Sequence, residues 1–419
     1  MENGVNKIIG VMVLFLFPFV FSCATTRQAS YDHFNMGNTH VSKGQYDQAI
    51  SEYNKAIELE PKMAEAYSNR GFAYGRKGQH DQAISDFTKV LQIDPNDALA
   101  YNNRGLAYLS KGQHDQGIAD FNKALEIDPK YVEAYNNRGL AYGQKGQHDR
   151  TISDFNKALE LNPKFTEAYI NRGFAYSLKG QYEQTISDFS KALELNPNNP
   201  QVYTNRGLVY GNRGQYDKAI SDFSKALEHN PKDAVAYTNR GLAYGSRKQH
   251  DQALSDFNKA LDLNPKDGEA YTHRGIAYGS KGQYDLAISD FSKALELNSK
   301  DTLAYTNRGI VYEVKGQHDR AISDFNKALE INPKEASAYT HRGIAFKELG
   351  QYDRAVSDLN QALEINPKDV EALSSRGDIF YIRKEYDKSW EDINKAQDMG
   401  YPVPQDILNE LQKARGRLK

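Results

Sequence analysis

A single cysteine, Cys23, stands in 419 residues, so the fold has no intramolecular disulfide to draw on. Neither sign of charge is in excess. The 53 Lys and Arg against 55 Asp and Glu give a formal net charge of −2, which leaves no broad basic surface for a nucleic-acid partner. The apolar run from Ile8 to Phe21 is fourteen residues and contains Pro18, short of the ~20 residues that span a bilayer as a helix. The chain also lacks a glycine-rich phosphate loop, a His-Glu-x-x-His pair and a catalytic cysteine. No catalytic centre, cofactor or small-molecule substrate is therefore expected.

What the chain has in abundance is repetition. The stretch from Ala64 to Asp97 returns every 34 residues without insertion. Eleven copies begin at Ser30, Ala64, Ala98, Val132, Thr166, Pro200, Ala234, Gly268, Thr302, Ala336 and Val370. A fixed period of this length marks a solenoid, in which each unit buries its apolar face only against its neighbours. Within the second copy, Tyr67, Gly71 and Tyr74 fall at i, i+4 and i+7, one stripe of a helix. Ala83, Phe87 and Val90 repeat that spacing after the Lys77-Gly78-Gln79 turn, and Pro95 closes the unit. Each copy reads as helix, glycine turn, helix and polar corner. Tyrosine is abundant (28) because the repeat uses it for packing. Gly71 and Ala83 are small where the two helices come close, so a bulky residue at the eighth position should overpack the pair.

An aromatic at position 4, Gly at 8, Tyr at 11, Ala at 20, Phe at 24, Ala at 27 and Pro at 32 resembles the tetratricopeptide repeat over about nine tenths of the chain. The resemblance implies an all-α, right-handed α-α superhelix of about eleven helix-turn-helix repeats, with first helices on the concave face. Position 7, usually leucine in that family, is Arg from Arg70 to Arg376 and Met36 in the first copy. Position 20 is Gly117, Thr151 and Thr185 in three copies, and position 32 is Ser299 or Tyr401 in two.

Residues 1–22 read as a secretory signal peptide: Lys7, an apolar core, then small residues. Val20-Phe21-Ser22-Cys23 resembles the bacterial lipobox, which implies a lipid on Cys23. Acyl chains contribute about 0.8 kcal/mol per buried CH₂, so several hold a soluble body on a membrane. Ala24 after the cysteine resembles an outer-membrane address, implying the bacterial envelope with the array facing the periplasm. Residues 23–29 then form a lipidated tether, 30–403 the repeats as one elongated body without internal boundary, and 404–419 an amphipathic capping helix.

Three recurring positions bear on function. Position 17 alternates His (His80, His114, His148, His250, His318) with Tyr (Tyr46, Tyr182), which reads as a ring kept for packing. One histidine per layer is too widely spaced for a shared metal ion. Arg at position 7 accompanies an acid at position 23, as in Arg70 with Asp86, Arg104 with Asp120 and Arg138 with Asp154. These read as structural bridges, and Glu52 in the Arg-less first copy as a carboxylate left in water. Position 6 is Asn35, Asn69, Asn103, Asn137, Asn171, Asn205, Asn239 and Asn307, with His273, His341 and Ser375 elsewhere.

An amide both donates and accepts, so such a ladder suits the backbone of an extended peptide. It resembles the ladders of peptide-binding tetratricopeptide proteins, including the superhelix of O-linked N-acetylglucosamine transferases. Apolar residues at position 9 (Phe72, Leu106, Leu140, Phe174) flank it, and Gly75, Gly143 and Gly211 at position 12 leave room. The expectation is a non-enzymatic envelope scaffold that binds extended segments of protein partners and joins the membrane through its lipid. Replacing Asn137, Asn171 and Asn205 by Ala should weaken binding and leave helicity intact. The readings left open are a targeting subunit for a glycosyltransferase or peptidoglycan hydrolase, and a cytoplasm-facing anchored adaptor.

Overall fold

A computed structural model describes residues 25–403 and 405–416; the leader, Cys23 and the lipobox lie outside them. The described residues are helical apart from turns and corners, and they gather into two compact units divided between Asn198 and Asn199, inside a repeat corner. A solenoid has only neighbour contacts and no common core to fuse its ends.

In the first unit the pairs are α1 (25–42) with α2 (Tyr46–Leu59), α3 (Ala64–Arg76) with α4 (His80–Ile93), and α5 (Ala98–Ser110) with α6 (His114–Ile127). The pairs α7 (Val132–Gln144) with α8 (His148–Leu161) and α9 (Thr166–Leu178) with α10 (Tyr182–Leu195) complete it. The second unit holds α11 (Pro200–Asn212) with α12 (Tyr216–His229), α13 (Ala234–Ser246) with α14 (His250–Leu263), and α15 (Gly268–Ser280) with α16 (Tyr284–Leu297). It continues with α17 (Thr302–Val314) and α18 (His318–Ile331), α19 (Ala336–Glu348) and α20 (Tyr352–Ile365), α21 (Val370–Ile382) and α22 (Tyr386–Asp398), and ends on α23 (Gln405–Gly416). Residues 25–29, read as tether, are helical and run on into the first repeat.

Local chemistry sets each boundary. The α3–α4 turn is a Schellman motif: Gln79 N donates to Tyr74 O at 2.9 Å and Gly78 N to Gly75 O at 2.9 Å. Gly78 stands at φ +74°, the left-handed region open to glycine, although Lys248 (φ 59°) and Lys384 (φ 63°) hold it without that freedom. At the α4–α5 corner Asp94, ahead of Pro95, is extended, and Asp97 caps α5 by accepting from Ala100 N at 2.9 Å.

The core repeats once per hairpin. Phe121, Phe155, Phe223, Phe257 and their equivalents at position 24 are all but fully buried. Each ring lies against the position-8 glycine of its own hairpin: a Cβ on Gly105 would stand 2.7 Å from Phe121 Cε1. Alanines at positions 3, 20 and 27, such as Ala100, Ala253 and Ala260, close the remaining gaps at 0 % exposure. Leu408 and Leu411 of α23 bury against Ile393, with Tyr386 and Trp390 alongside, and so cover the last repeat.

Arg at position 7 ties three helices together. Arg138 of α7 grips Asp154 of α8 through Nε (2.8 Å) and Nη2 (2.7 Å), while Nη1 donates to Asn122 of α6 in the preceding repeat at 2.7 Å. The same fork recurs from Arg70–Asp86 to Arg376–Asp392. Hydrogen bonding to Asp154 outweighs burial and holds Arg138 above its ordinary pKa, and the guanidinium lies 5.4 Å from the Tyr135 ring centre. The sequence pairing was therefore structural, and it works both within and between layers. Glu52 is not left in water: its side chain is 15 % exposed and meets His33 Nδ1 at 2.6 Å and Lys55 at 2.7 Å, with Lys55 foremost in lowering its pKa.

Candidate functional site

The first helices line one face of each unit. Successive first helices approach one another, as in α3 to α5 to α7 and α15 to α17 to α19, more closely than successive second helices do. Each unit therefore curves with its first helices inside. Positions 2, 6, 9 and 13 share a stripe of that face.

All the position-6 residues named from the sequence lie on it. Asn35 is exposed; Asn69, Asn103, Asn137, Asn171, Asn205, Asn239, His273, Asn307 and His341 are half-buried. Ser375, in the last repeat, is buried at 7 %. Their hydrogen bonds divide the ladder. In the first unit Asn137 Nδ2 donates to Asn102 Oδ1 (2.9 Å), Asn171 Nδ2 to Asn136 Oδ1 (3.0 Å) and Asn69 Nδ2 to Asn38 Oδ1 (2.7 Å), each a link to the preceding repeat. In the second unit Asn239 and Asn307 turn Nδ2 back to Val235 O (2.9 Å) and Leu303 O (2.8 Å) of their own helices. Asn205 accepts from Gln201 at 3.2 Å, and its Nδ2 is buried without a partner.

Asn102 and Asn136, at position 5, are buried at 3 % and 7 % and were not singled out from the sequence. At three position-5 threonines the hydroxyl reaches the acid that caps the next repeat, as Thr272 Oγ1 does to Asp301 Oδ2 at 2.7 Å, with Thr238 and Thr340 alike, whereas the hydroxyls of Thr204 and Thr306 are buried without a partner. The pKa values of the two imidazoles of the ladder are shifted in opposite directions. Burial lowers the pKa of His273, whose ring stacks on Phe257. Burial also opposes charge on His341, but Glu313 at 3.2 Å, with Glu371 and Asp369 beyond, outweighs it and raises the pKa.

Beside the amides the face is apolar and open. Phe72 (47 % exposed), Leu106, Phe174 and Leu208 project from position 9, and Leu99, Val235 and Leu303 from position 2. The position-2 residues also escaped sequence reading, because Glu fills that place in other copies. Position 12, in the last turn of the first helix, is glycine in five repeats, and at two of them the packing does not call for it: a Cβ on Gly75 or Gly245 would meet nothing within 4 Å. Glycine there costs about 0.8–1 kcal/mol of helix propensity against alanine. In the first unit these features converge on a notch of ≈ 170 Å³, lined by Phe72, Gly75, Arg76, Asn103, Leu106 and Ser110 among others. The histidines at position 17 open the second helices one per repeat, and Nδ1 of His114, His148, His250 and His318 is buried without a partner. Among the described residues no three His, Cys, Asp or Glu side chains gather to hold a metal, and no helix is long and apolar enough to cross a membrane.

The tetratricopeptide repeat model matches the chain eight times, over residues 64–97 and then continuously in 34-residue steps from 132 to 369. Two further repeat models match 37–78 with 105–146, and 87–119. The chain belongs to the tetratricopeptide repeat family. Solved structures of other tetratricopeptide proteins resemble it. One from Parabacteroides merdae is 26% identical, covering 59% of this chain and 98% of that chain at a TM-score of 0.48. YrrB, a TPR protein with an unusual peptide-binding site, is 28% identical, covering 44% of this chain and 95% of its own at 0.38. Yeast Tom70 is 17% identical over 93% of this chain and 96% of its own at 0.42. No curated protein matches. Every matching family model is a tetratricopeptide repeat model.

Proposed function

We propose that this chain is a non-enzymatic scaffold of the bacterial envelope that holds extended segments of partner proteins along its first-helix face. One observation carries the reading. Gly75 and Gly245 at position 12 leave open space on a face that carries exposed apolar residues at position 9 and half-buried amides at position 6. Backbone groups of a bound segment would meet the amides and its side chains the apolar notches.

The clean test uses amides that no neighbouring repeat depends on. Asn137 and Asn171 hold the buried Asn102 and Asn136, so changing them also removes links between repeats. Asn103, Asn239 and Asn307 bond within their own helices. The triple change of these three to Ala is expected to keep helicity and thermal midpoint while losing at least tenfold in affinity for partners captured from solubilised envelopes, about 1.4 kcal/mol or more. Unchanged capture would remove the ladder from the working surface.

The same proposal places a lipid on Cys23 and the array in the periplasm at the outer membrane, on the strength of the apolar leader and the lone cysteine that follows it. Cys23→Ser is expected to move the protein from the detergent phase to the aqueous phase in a cloud-point partition. A variant that stays with detergent would put the anchor elsewhere.

A further inference from the structure

A cavity of ≈ 490 Å³ lies near the end of the second unit, bounded by α19, α20, α21, α22 and α23. Its lining includes Lys347, Glu348, Asp378, Tyr381, Ile382 and Glu410. The mouth is open, with Tyr381 38 % and Ile382 51 % exposed. Lys347 Nζ stands 3.3 Å from Asp378 Oδ2 and 3.8 Å from Glu348 Oε1. The Tyr381 hydroxyl donates to Glu410 Oε2 at 3.1 Å. Three carboxylates against one ammonium leave the lining two negative charges in excess, and the phenol rings of Tyr352 and Tyr381 add π faces.

The rest of that unit's inner face is different. Position 12 is Gly211, Gly245 and Gly279 in its first three repeats and Glu313, Lys347 and Tyr381 in its last three. Glu348 at position 13, Glu371 at position 2 and Asp378 at position 9 fall in those same last repeats. Among the equivalent positions of the first three, only Glu269 is acidic. Negative potential is thus concentrated where the cavity opens, and it is flanked by aromatic and aliphatic surface rather than by water alone.

We infer that this cavity seats an arginine or lysine side chain of a partner segment lying on the first-helix face. The carboxylates supply the counter-charge, the tyrosines flank the aliphatic stem, and a guanidinium is favoured because it donates to two carboxylates in one plane. The volume leaves room for an apolar neighbour against Ile382. The inference rests on the reading that partners lie along this face, and its test separates the two.

The whole chain is screened against a displayed library of random twelve-residue peptides, and the best binder is then made synthetically. Arginine or lysine should dominate one position. Affinity should fall about tenfold or more when that residue becomes citrulline or norleucine, and equally in the Glu348→Gln/Asp378→Asn double variant. Both carboxylates are half exposed, so neutralising them should leave circular dichroism and the thermal midpoint unchanged. Binders without a basic residue that respond to the Asn103/Asn239/Asn307 change would overturn the cavity inference and keep the ladder. Basic binders that respond to the double variant but not to the amide change would keep the cavity and remove the ladder. Indifference of basic binders to the double variant, or no binders at all, overturns the inference. Self-association abolished by that variant would give the cavity to a second copy of the chain and overturn it too.

Discussion

Asp154→Ala is expected to destabilise the α7–α8 region by about 3–5 kcal/mol, the range for removing one partner of a buried ion pair. The carboxylate is 8 % exposed and takes both arms of the Arg138 fork, whose side chain is 19 % exposed. Without it, the guanidinium stays under the Tyr135 ring with Asn122 as its remaining hydrogen-bond partner. Arg138 cannot shed its charge to relieve this, since its pKa lies far above working pH. The double change Arg138→Leu/Asp154→Leu should recover most of the loss, because an apolar pair of similar volume is often as stable as the bridge it replaces. A repeat array need not unfold in one step, so hydrogen-exchange protection of the α7 and α8 amides is the suitable readout alongside urea melts. A loss below about 1 kcal/mol would class the bridge with exposed pairs. The Lys77–Asp47 and Lys145–Asp115 bridges between repeats belong to that weak class, with carboxylates 77 % and 83 % exposed.

Two glycines of one helix should respond with opposite signs to the same substitution. Gly241→Ala places a Cβ 2.7 Å from Phe257 Cε1 and 3.0 Å from Cδ1 and Cζ, and that ring is 1 % exposed with nowhere to retreat. Overpacking of this kind costs about 1–3 kcal/mol, which outweighs the ~1 kcal/mol that alanine gains over glycine in helix propensity. Gly245→Ala, one turn on in α13, meets nothing within 4 Å and should stabilise by about 0.5–1 kcal/mol. Chemical denaturation of the two variants side by side decides the matter. If both gain stability, the Phe257 ring shifts freely and the interlayer fit is looser than the distances say. If Gly245→Ala gains stability but binds partners less well, the glycine is retained to keep the face open.

The 34-residue period, the helix pair and the small eighth residue where its helices come close were all legible in the sequence, because each depends only on spacing and side-chain size; that the position-24 ring is what lies against that glycine was not. The bridge was half legible. Arg and Asp recur together sixteen residues apart, but the third arm ends on Asn122 in one repeat, Thr88 in another and Ser224 in a third, a mixture that hides its common role. Sequence also placed the amide ladder along the first helices and missed what its members hold. Asn137 reaches back 35 residues to Asn102, whereas Asn307 bonds the carbonyl four residues before it. The reach depends on what position 5 offers in the layer below.

The sequence by itself determined the architecture of this family member, since eleven copies of one apolar pattern admit a single way to bury themselves, hairpin against hairpin. Tertiary structure decided which polar groups remain available. Glu52 found His33, the residues ahead of Ser30 joined the first helix, and three amides of the ladder turned to the preceding repeat. The physical reason is range: hydrophobic periodicity is written within one helix, while the partner of an amide or a carboxylate is set by the ångström-scale distance to another repeat.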